Sequence, residues 1–453
     1  MLQKLSQLRW LAVFLGVMTP GLSFGSVLQS SHFQLDPNVG SSFGGQGSSA
    51  SYHLADTGGE AVVGSGSSTS YKLSQGYISH LPHSIQLSVL PTGVYSAWPL
   101  DTGTGVQLYD VTSTSNRAIA QGSTSWVAGK IGQALSLDGT SGYVSTSASS
   151  SNPNPFSLEL WFNTTTTSGG LIMGFGNTTT GASATNDRNL YMTNGGQLIF
   201  GVNPGTNKTI SSASSYNNGS WHHVVASLGP AGMVLLVDGA RIATDGTTTT
   251  AGSYSGYWRL GFQNLTGWAS APTSNFFNGV LDEVHIYSRQ LSDEEAAGDY
   301  TSGLAGLRFA HVFPHVVSGT SQTYSADAIV QTDAGGYDLY LQAISLLTRP
   351  GSGATIPMMA SSVASPGAWT EGVTQGLGFT VTAGNTIEAK WGTGPSSYNY
   401  AGVPLAATAY HTRLGLSSGL PDKTTVQYRV DASKTQAAGT YSSTVIYTAT
   451  LKP

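Results

Sequence analysis

"NGVLDEVHIYSRQLSDEE", residues 278–295, carries two adjacent carboxylates, Asp282 and Glu283, inside a run whose apolar residues alternate as in a β-strand. Because successive side chains of a strand point to opposite faces, the run predicts two rows. One row contains Val280, Asp282, Val284 and Ile286, and the opposite row contains Leu281, Glu283, His285 and Tyr287. Asp282 therefore stands in an apolar row and needs a cation or several hydrogen-bond donors, since an unpaired buried charge is costly. Carboxylates on opposite faces cannot serve as an acid/base pair on one substrate.

The end of the same stretch predicts the start of a helix. Ser292 and Glu295 have the spacing of a capping box, in which each side chain bonds the backbone N–H of the other residue. Asp293 and Glu294 fall in the first turn, where negative charge is favourable. We therefore interpret this acidic cluster as structural rather than catalytic.

The chain around this stretch, from about residue 92 to 302, is a series of short alternating strands separated by Gly, Asn and Ser clusters. Examples are "FSLELWF" (156–162), "GGLIMGFG" (169–176), "QLIFGV" (197–202) and "YWRLGF" (257–262). The Asp-Gly pair in "LVDGARI" (236–242) is a strong hairpin signal. Many short strands at regular spacing predict a two-sheet sandwich of the jelly-roll type.

Six segments in order make this region recognisable. They are "WPLDTGTG" from Trp98, "WVAGKIGQALSLDG" from Trp126, "FSLELWF", "WHHVV" from Trp221, "LVDG" and the stretch at 278–295. Their order resembles the laminin-G-like, concanavalin-A-like jelly roll over roughly 210 residues. The resemblance implies the fold and leaves the function open, because this sandwich hosts lectins, adhesion modules and accessory domains of enzymes.

The resemblance also implies a structural calcium site between the closing strand, which supplies Asp282, and the opening segment, which supplies Asp101. Ca²⁺ takes about six to eight oxygen ligands, from carboxylates, carbonyls and water. Asp110 and Asp138 are further candidates. The alternative is that Asp282 accepts backbone N–H bonds or pairs with Arg289, and that Asp138 only shapes a turn.

Candidate ligand-binding residues lie in polar loops of the same domain. Trp268 belongs to the loop signal "NLTGWASAPTSN" (264–275), so its ring either stacks on a sugar or packs beneath its own loop. Asp187 and Asn189, in "TNDRNLYMTNGG" (185–196), are possible partners for sugar hydroxyls.

No catalytic residues are predicted. Glycosidases of the concanavalin-like type usually carry two carboxylates on one strand face, in a pattern of the E-x-D-x-x-E kind, whereas Glu159 in "FSLELWF" stands alone. His222 and His223 alternate sides of a strand and cannot jointly hold one metal. The chain has no cysteine, which excludes thiol nucleophiles, disulfides and zinc–thiolate sites.

The N-terminus predicts export. Lys4 and Arg9 precede the apolar run "WLAVFLGVM" (10–18) and the small-residue site "SFG" (23–25), so residues 1–25 are interpreted as a cleaved signal peptide. The run is shorter than the ~20 residues of a membrane span, and no transmembrane segment is expected after cleavage. Charged residues form only 9% of the chain and its net charge is −5, which argues against nucleic-acid binding.

Two further regions flank the jelly roll. In residues 26–90, "GQGSSASYHL" (45–54) returns as "GSGSSTSYKL" (64–73), which predicts a small β-repeat module or a low-complexity spacer. In residues 303–453, "TTVQYRVDA" (424–432) and "GTYSSTVIYTATL" (439–451) predict the last hairpin of an immunoglobulin-like β-sandwich.

Together these features predict an all-β, secreted or cell-surface protein with the jelly roll at 92–302. We expect it to be non-catalytic and to bind carbohydrate or mediate adhesion, with a cell-surface or matrix glycan as partner. The alternative is a structural surface component that binds another surface protein and uses the jelly roll as a scaffold. A hydrolase acting on glycans is the least favoured hypothesis.

Overall fold

The computed structural model describes residues 85–452, except 113, 115, 308–315, 317–318, 333–334 and 416–420, together with the backbone of six short strands that precede residue 85. The chain divides into two units, residues 1–82 and 83–453. The predicted signal peptide, residues 1–25, lies outside the described residues.

The described strands of the first unit form three antiparallel pairs. They are β1 (Leu28–Ser30) with β2 (Phe33–Leu35), β3 (Gln46–Ser49) with β4 (Tyr52–Ala55), and β5 (Gly64–Ser67) with β6 (Lys72–Gln75). The two copies of the sequence repeat thus form one strand pair each.

The central domain follows strand β7 (Ile85–Pro91) and is built from two antiparallel sheets. Its first strands are β8 (Val94–Trp98), β9 (Gln107–Leu108), β10 (Ala118–Gln121), β11 (Thr124–Ala128), β12 (Gln133–Asp138), β13 (Tyr143–Thr146), β14 (Ser150–Ser151), β15 (Phe156–Asn163) and β16 (Gly170–Gly176). Its remaining elements are β17 (Asn186–Met192), β18 (Gln197–Val202), β19 (Lys208–Ser215), β20 (Trp221–Gly229), β21 (Gly232–Val237), β22 (Ala240–Asp245), β23 (Ser255–Leu260), β24 (Asn278–Tyr287) and helix α1 (Asp293–Leu304).

The nine-stranded sheet has the order β19-β18-β17-β16-β23-β13-β10-β9, with β14 also paired to β23. The eight-stranded sheet has the order β11-β12-β24-β15-β20-β21-β22, with β8 also paired to β24. Side chains from both sheets enclose one core, in which Phe156 of the eight-stranded sheet meets Phe200 at 6.1 Å and Trp258 at 5.9 Å between ring centroids. The predicted two-sheet jelly roll is confirmed.

Strand β24 departs from the predicted alternation. Its pairing with β15 shifts between Glu159, which opposes His285, and Trp161, which opposes Asp282. Glu283 lies at this β-bulge with φ +46°. An extra residue in a bulge inverts the alternation beyond it, so the core row is Leu281, Val284 and Ile286. The prediction that Asp282 shares a row with Val284 and Ile286 was wrong, and so was the argument that this alternation separates Asp282 from Glu283.

Helix α1 begins where the capping box predicted it. Ser292 accepts from the amide of Glu295, and the Glu295 carboxylate accepts from the amide of Ser292. The helix lies on the outer face of the eight-stranded sheet, where Tyr300 stacks on Trp161 with ring centroids 5.7 Å apart. Within the described part of the chain, no helix is both long and apolar enough to span a membrane.

The described part of the C-terminal domain has two main sheets and one short strand pair, packed around one core. Its strands are β25 (Gln322–Thr332), β26 (Gly336–Ala343), β27 (Leu347–Thr348), β28 (Thr355–Ile356), β29 (Gly367–Ala368), β30 (Gly376–Ala383), β31 (Asn399–Gly402), β32 (Thr408–Leu414), β33 (Asp422–Asp431) and β34 (Val445–Lys452). The larger sheet has the order β29-β31-β30-β33-β25-β7, the smaller has the order β32-β26-β34, and the short pair is β27-β28. The immunoglobulin-like assignment stays a prediction.

Strand β7 corrects one predicted boundary. Residues 85–90 were assigned to the N-terminal repeat region, yet β7 pairs with β25 from Ile85–Thr332 to Pro91–Ala326. The C-terminal sheet is therefore completed by a strand that precedes the jelly roll in the chain. Periodicity alone identifies such a strand but not its partner.

Candidate functional site

The two predicted calcium residues approach the same turn, Gly129–Gln133. The Oδ2 atom of Asp282 accepts from the amide of Ile131 at 2.9 Å, and the Oδ1 atom of Asp101 accepts from the amide of Gln133 at 2.9 Å. A Cβ atom at Gly129 would lie 2.5 Å from Asp282 Oδ2, so the close approach requires glycine at that position. Asp101 and Asp282 thus lie at the same turn, where each accepts a backbone N–H bond.

Asp282 is fully buried, and burial raises its pKa to about 8 despite the opposing hydrogen bond from the Ile131 amide. Arg289 does not compensate this charge, because its guanidinium binds Glu295 at 2.8 and 2.7 Å. A calcium ion would supply the missing positive charge. No group of three or more acidic or histidine side chains that could hold a metal ion occurs among the described residues, so backbone carbonyls and water would have to complete the ligands.

The two further calcium candidates are engaged in their own loops. Asp138 accepts from the amides of Thr140, Ser141 and Gly142 and from the hydroxyls of Thr140 and Ser141. Asp110 accepts from the amides of Ala97, Thr112 and Asn116 and from the Thr114 hydroxyl. These bonds satisfy both carboxylates, which supports the turn interpretation of Asp138.

Trp268 is not exposed. Its side chain is 6% accessible and packs with Leu171, Tyr191 and Ile199 on the outer face of the nine-stranded sheet. A Cβ atom at Gly201 would lie 2.6 Å from its Cζ3 atom, so the ring rests directly on the sheet. Of the two possibilities for Trp268, the structure shows packing beneath its own loop.

Asn189 lies on the same face as Trp268. Its Nδ2 atom donates to Asn186 Oδ1 at 2.8 Å, and the same oxygen accepts from Trp268 Nε1 at 2.9 Å. Asp187 has a different role, because its oxygens accept from the amides of Asn203 at 2.8 Å and Gly252 at 2.5 Å. Asp187 therefore anchors neighbouring loops, and only two of the three predicted ligand residues share a site.

The structure adds residues that sequence reasoning missed. Arg259, on β23, is fully buried, and its Nη1 atom donates to Ser183 Oγ at 3.2 Å and to the Thr178 carbonyl at 3.3 Å. Gln263 accepts from the Ser183 amide at 3.2 Å. We call the four side chains Asn189, Arg259, Gln263 and Ser183 the polar cluster.

The polar cluster lies over two glycines of β16. A Cβ atom at Gly174 would lie 2.4 Å from Asn189 Oδ1, and one at Gly176 would lie 2.3 Å from Gln263 Nε2 and 2.2 Å from Ser183 Oγ. Larger residues would displace these side chains. In the sequence, only the alternating glycines Gly174 and Gly176 of "GGLIMGFG" could have indicated this cluster.

Several atoms of the polar cluster lack hydrogen-bond partners within the described part of the chain, although they are buried. They are Asn189 Oδ1, Arg259 Nε and Nη2, and Gln263 Nε2. Buried polar atoms are normally paired with protein or water, so each of these atoms needs an explanation. Amide and guanidinium groups of this kind are suited to bind hydroxyl and carboxylate oxygens.

A second polar group lies on the outer face of the eight-stranded sheet. Glu159 accepts from Tyr287 at 2.8 Å and contacts ring nitrogens of His223 at 3.0 Å and His285 at 3.1 Å. Burial alone would raise the pKa of Glu159, but the hydrogen bonds from His223 and His285 outweigh it and lower the pKa. His285 also lies 3.6 Å from Glu283, so Glu159 is linked through this histidine to a second carboxylate. All these groups are buried.

The adjacent histidines His222 and His223 have separate partners. His222 binds Asp238 at 2.8 Å, whereas His223 binds Glu159. This agrees with the expectation that the two rings lie on opposite sides of β20.

Comparisons with known proteins agree with the fold. Residues 138–297 match a laminin-G-like family model described as the concanavalin A-like lectin/glucanases superfamily. No curated protein matches the chain.

Three solved structures illustrate the likeness. Domain 4 of AbnA, a GH43 extracellular arabinanase from Geobacillus stearothermophilus in complex with arabinotriose, is 18% identical, with 46% of this chain and 98% of that chain covered and a TM-score of 0.32. The native heptameric SAP-like pentraxin from Limulus polyphemus is 17% identical, with 36% and 80% covered and a TM-score of 0.30. The Trypanosoma rangeli sialidase in complex with the inhibitor DANA is 15% identical, with 47% of this chain but only 33% of the sialidase covered and a TM-score of 0.34.

At these TM-scores the structural likenesses carry no argument. The family match rests on sequence and includes strands β13 to β24, with the bulge, and the capped start of helix α1. The central domain is a two-sheet jelly roll, and residues 138–297 within it are similar to the laminin-G-like model of the concanavalin A-like lectin/glucanases superfamily.

Proposed function

We propose that the jelly roll binds carbohydrate without catalysing a reaction, as part of a secreted or cell-surface protein that mediates adhesion. The observation that carries this proposal is the polar cluster, whose amide and guanidinium groups retain buried atoms without partners in the described part of the chain. Sugars present dense arrays of hydroxyl oxygens, which such groups bind well. The similarity of residues 138–297 to a superfamily that includes lectins supports the same function.

Aromatic rings beside the polar cluster would complete a sugar site. Phe262 stacks on Phe276 with ring centroids 4.0 Å apart, and Tyr143 lies 5.6 Å from Phe262. Tyr143 and Phe276 are half-buried, so part of this aromatic surface reaches solvent. Rings of this kind pack against the C–H faces of sugars, while polar groups fix the hydroxyls.

The distribution of carboxylates favours binding over hydrolysis. Hydrolysis of a glycosidic bond needs two carboxyl groups beside the substrate. Glu159, Asp282 and Glu283 are buried on strands of the eight-stranded sheet, whereas the polar cluster itself contains no carboxylate. We propose that Asp101 and Asp282 hold a structural calcium ion that fixes the turn Gly129–Gln133 and takes no part in sugar recognition.

A scaffold function is the second candidate, and one observation favours it. Trp268 and its loop cover part of the outer face of the nine-stranded sheet, and Tyr191 donates to the carbonyl of Ala269 in this loop. A face closed in this way would leave the jelly roll as a support for contacts with another surface protein.

A glycan array probed with the full chain separates these two functions. Carbohydrate binding predicts at least one ligand whose affinity falls about tenfold or more in Asn189→Ala, because a buried hydrogen-bonding group is lost. The matched control is Asn163→Ala, on the eight-stranded sheet, which loses one bond from Nδ2 to the Gly219 carbonyl. An array without any ligand, or equal loss in both variants, would reject the polar cluster as a sugar site.

A further inference from the structure

The two fully buried arginines of the jelly roll differ in their partners. Arg188 lies 3.4 Å from the carboxylate of Asp187, and its Nε atom donates to the Pro153 carbonyl at 3.0 Å. Arg259 forms no salt bridge with any residue that the structure describes. Its Nη1 atom donates to Ser183 and Thr178, while Nε and Nη2 have no hydrogen-bond partner among the described residues.

The Nε and Nη2 atoms of Arg259 form one edge of the guanidinium. Arg241 shows what this edge binds, because its Nε and Nη2 atoms lie 2.9 and 2.8 Å from the two oxygens of Asp293. Such a side-on pair matches the spacing of two carboxylate oxygens. Arg259 therefore presents the same carboxylate-binding edge without a carboxylate from the described chain.

An isolated guanidinium is costly to bury. Arginine stays protonated in proteins, and a buried charge without a counter-ion loses its hydration without replacement. Burial lowers the pKa of Arg259, with only Tyr143 acting in the opposite direction. The rings of Tyr143 and Phe262 lie 5.1 and 5.4 Å from its Cζ atom and offset part of this cost through cation–π attraction.

We propose that Arg259 binds the carboxylate of an acidic sugar through its Nε–Nη2 edge, an inference that rests on the proposed carbohydrate-binding function. Asn189 Oδ1 then accepts from a sugar hydroxyl, and Gln263 Nε2 donates to another. The ligand class is thereby restricted to glycans that contain a uronic or sialic acid.

The loop of residues 177–185 contacts Arg259 through Thr178 and Ser183. Its ends are joined by the bond from the Asn177 amide to the Thr185 carbonyl at 3.0 Å. Its middle is held by Gln121, which donates to the Thr179 carbonyl at 3.1 Å, and by the Gly181 amide, which donates to Tyr143 Oη at 3.3 Å. Because Arg259 is fully buried, a ligand would reach its Nε–Nη2 edge only after this loop opens, and the loop would close again over the bound sugar.

The test compares an acidic glycan with its own neutral form. An oligosaccharide of uronic acids and the same oligosaccharide with its carboxyls reduced to hydroxymethyl groups are titrated into the full chain by calorimetry, beside a panel of sialylated and neutral glycans. We expect the acidic form to bind about tenfold or more tightly than the reduced form, as for other charge-assisted hydrogen bonds.

Variants then locate the effect. Arg259→Gln should remove the preference for the acid, whereas Arg241→Gln, which deletes the same charge from an exposed pair, should retain it. Arg259→Lys should retain a weaker preference, because an ammonium group keeps the charge without the side-on geometry.

The possible failures are distinguishable. Tight binding of neutral glycans with no preference for any acidic form would overturn the role of Arg259 and keep the proposed function. No binding of any glycan would overturn both. If Arg259→Gln does not fold, the comparison of acidic and reduced glycans on the unaltered chain still decides.

Discussion

Among single residues, Asp282 shows what a sequence predicts about a carboxylate within a mainly apolar strand. Its position predicted that it must find donors or a cation, and the structure gives it the amides of Ile131 and Glu283. Burial disfavours the ionised carboxylate more than these hydrogen bonds favour it, which explains the raised pKa of Asp282. Calcium bound between Asp282 and Asp101 would favour the ionised form.

The calcium prediction is testable by thermal unfolding. Calcium at about 100 times its dissociation constant should stabilise the folded chain by about 3 kcal/mol, because it binds the folded state only. Asp282→Asn should abolish the increase in Tm. Asp138→Asn is the matched control: it should lower Tm, since Asp138 shapes a turn, and still show the increase with calcium. An equal response of all three proteins, or none in the unaltered chain, would contradict the site.

His285 predicts how stability depends on pH. Burial would lower its pKa, but hydrogen bonds with Glu159 and Glu283 raise it from 6.5 to about 9. A raised histidine pKa gives stability that is complete below pH 6.5 and is lost as pH rises through 9. The shift corresponds to about 3 kcal/mol in the free energy of unfolding. The raised pKa of Asp282 likewise makes the free energy of unfolding fall as pH rises from 3.8 to 8.

Urea unfolding between pH 6 and 10 isolates the histidine contribution. His285→Gln should be less stable at pH 6 and should lose much of the alkaline decline. His222→Gln, on the opposite face of β20 and bound to Asp238, should keep the decline. If the free energy of unfolding of His285→Gln fell with pH as steeply as that of the unaltered chain, Glu159 and Glu283 would not be raising the pKa of His285.

Among elements, those governed by neighbouring residues were the most predictable. The capping box of α1 and the hairpin strands β21 and β22 follow local rules and were confirmed. The bulge in β24 could not be predicted, because nothing in its sequence requires a glutamate at positive φ. Arg259 and Gln263 were missed for a similar reason: only the pairing of β23 with β16 shows that they meet above glycines.

The packing of α1 predicts an unusual effect of alanine. Glycine to alanine within a helix usually stabilises it by about 1 kcal/mol. At Gly303, however, a Cβ atom would lie 2.4 Å from Trp161 Cζ2, so Gly303→Ala should lower the free energy of unfolding by about 1–3 kcal/mol. Gly246→Ala, where a Cβ atom meets nothing within 4 Å, is the control and should change little. Chemical denaturation measures both, and a stabilised Gly303→Ala would contradict the packing of α1 on Trp161.

At the level of the whole molecule, the order of sequence landmarks predicted the central jelly roll, while the connection between domains escaped prediction. The alternating run of β7 looks like a continuation of the preceding repeat, but it completes the sheet of a domain that resumes more than 200 residues later. Pairing over such distances depends on three-dimensional packing, which a single sequence does not reveal. The jelly roll is thus inserted between β7 and β25.

This insertion predicts the effect of shortening the chain. A chain that begins at residue 83 should keep a stable C-terminal sheet, whereas one that begins at residue 92 exposes the edge of β25. Unpaired edges invite aggregation and lose backbone hydrogen bonds. Hydrogen exchange of the β25 amides should be faster in the shorter chain, and equal protection in both chains would contradict the role of β7.

The most direct test of the central claim is hydrogen–deuterium exchange of the full chain with and without the tightest ligand from the glycan array. Sugar binding at the polar cluster predicts slower exchange in the loop of residues 177–185 and around Phe262 and Gln263, with little change in β24 or the C-terminal domain. Protection confined to the eight-stranded sheet or the C-terminal domain, or no array ligand to test, would contradict it.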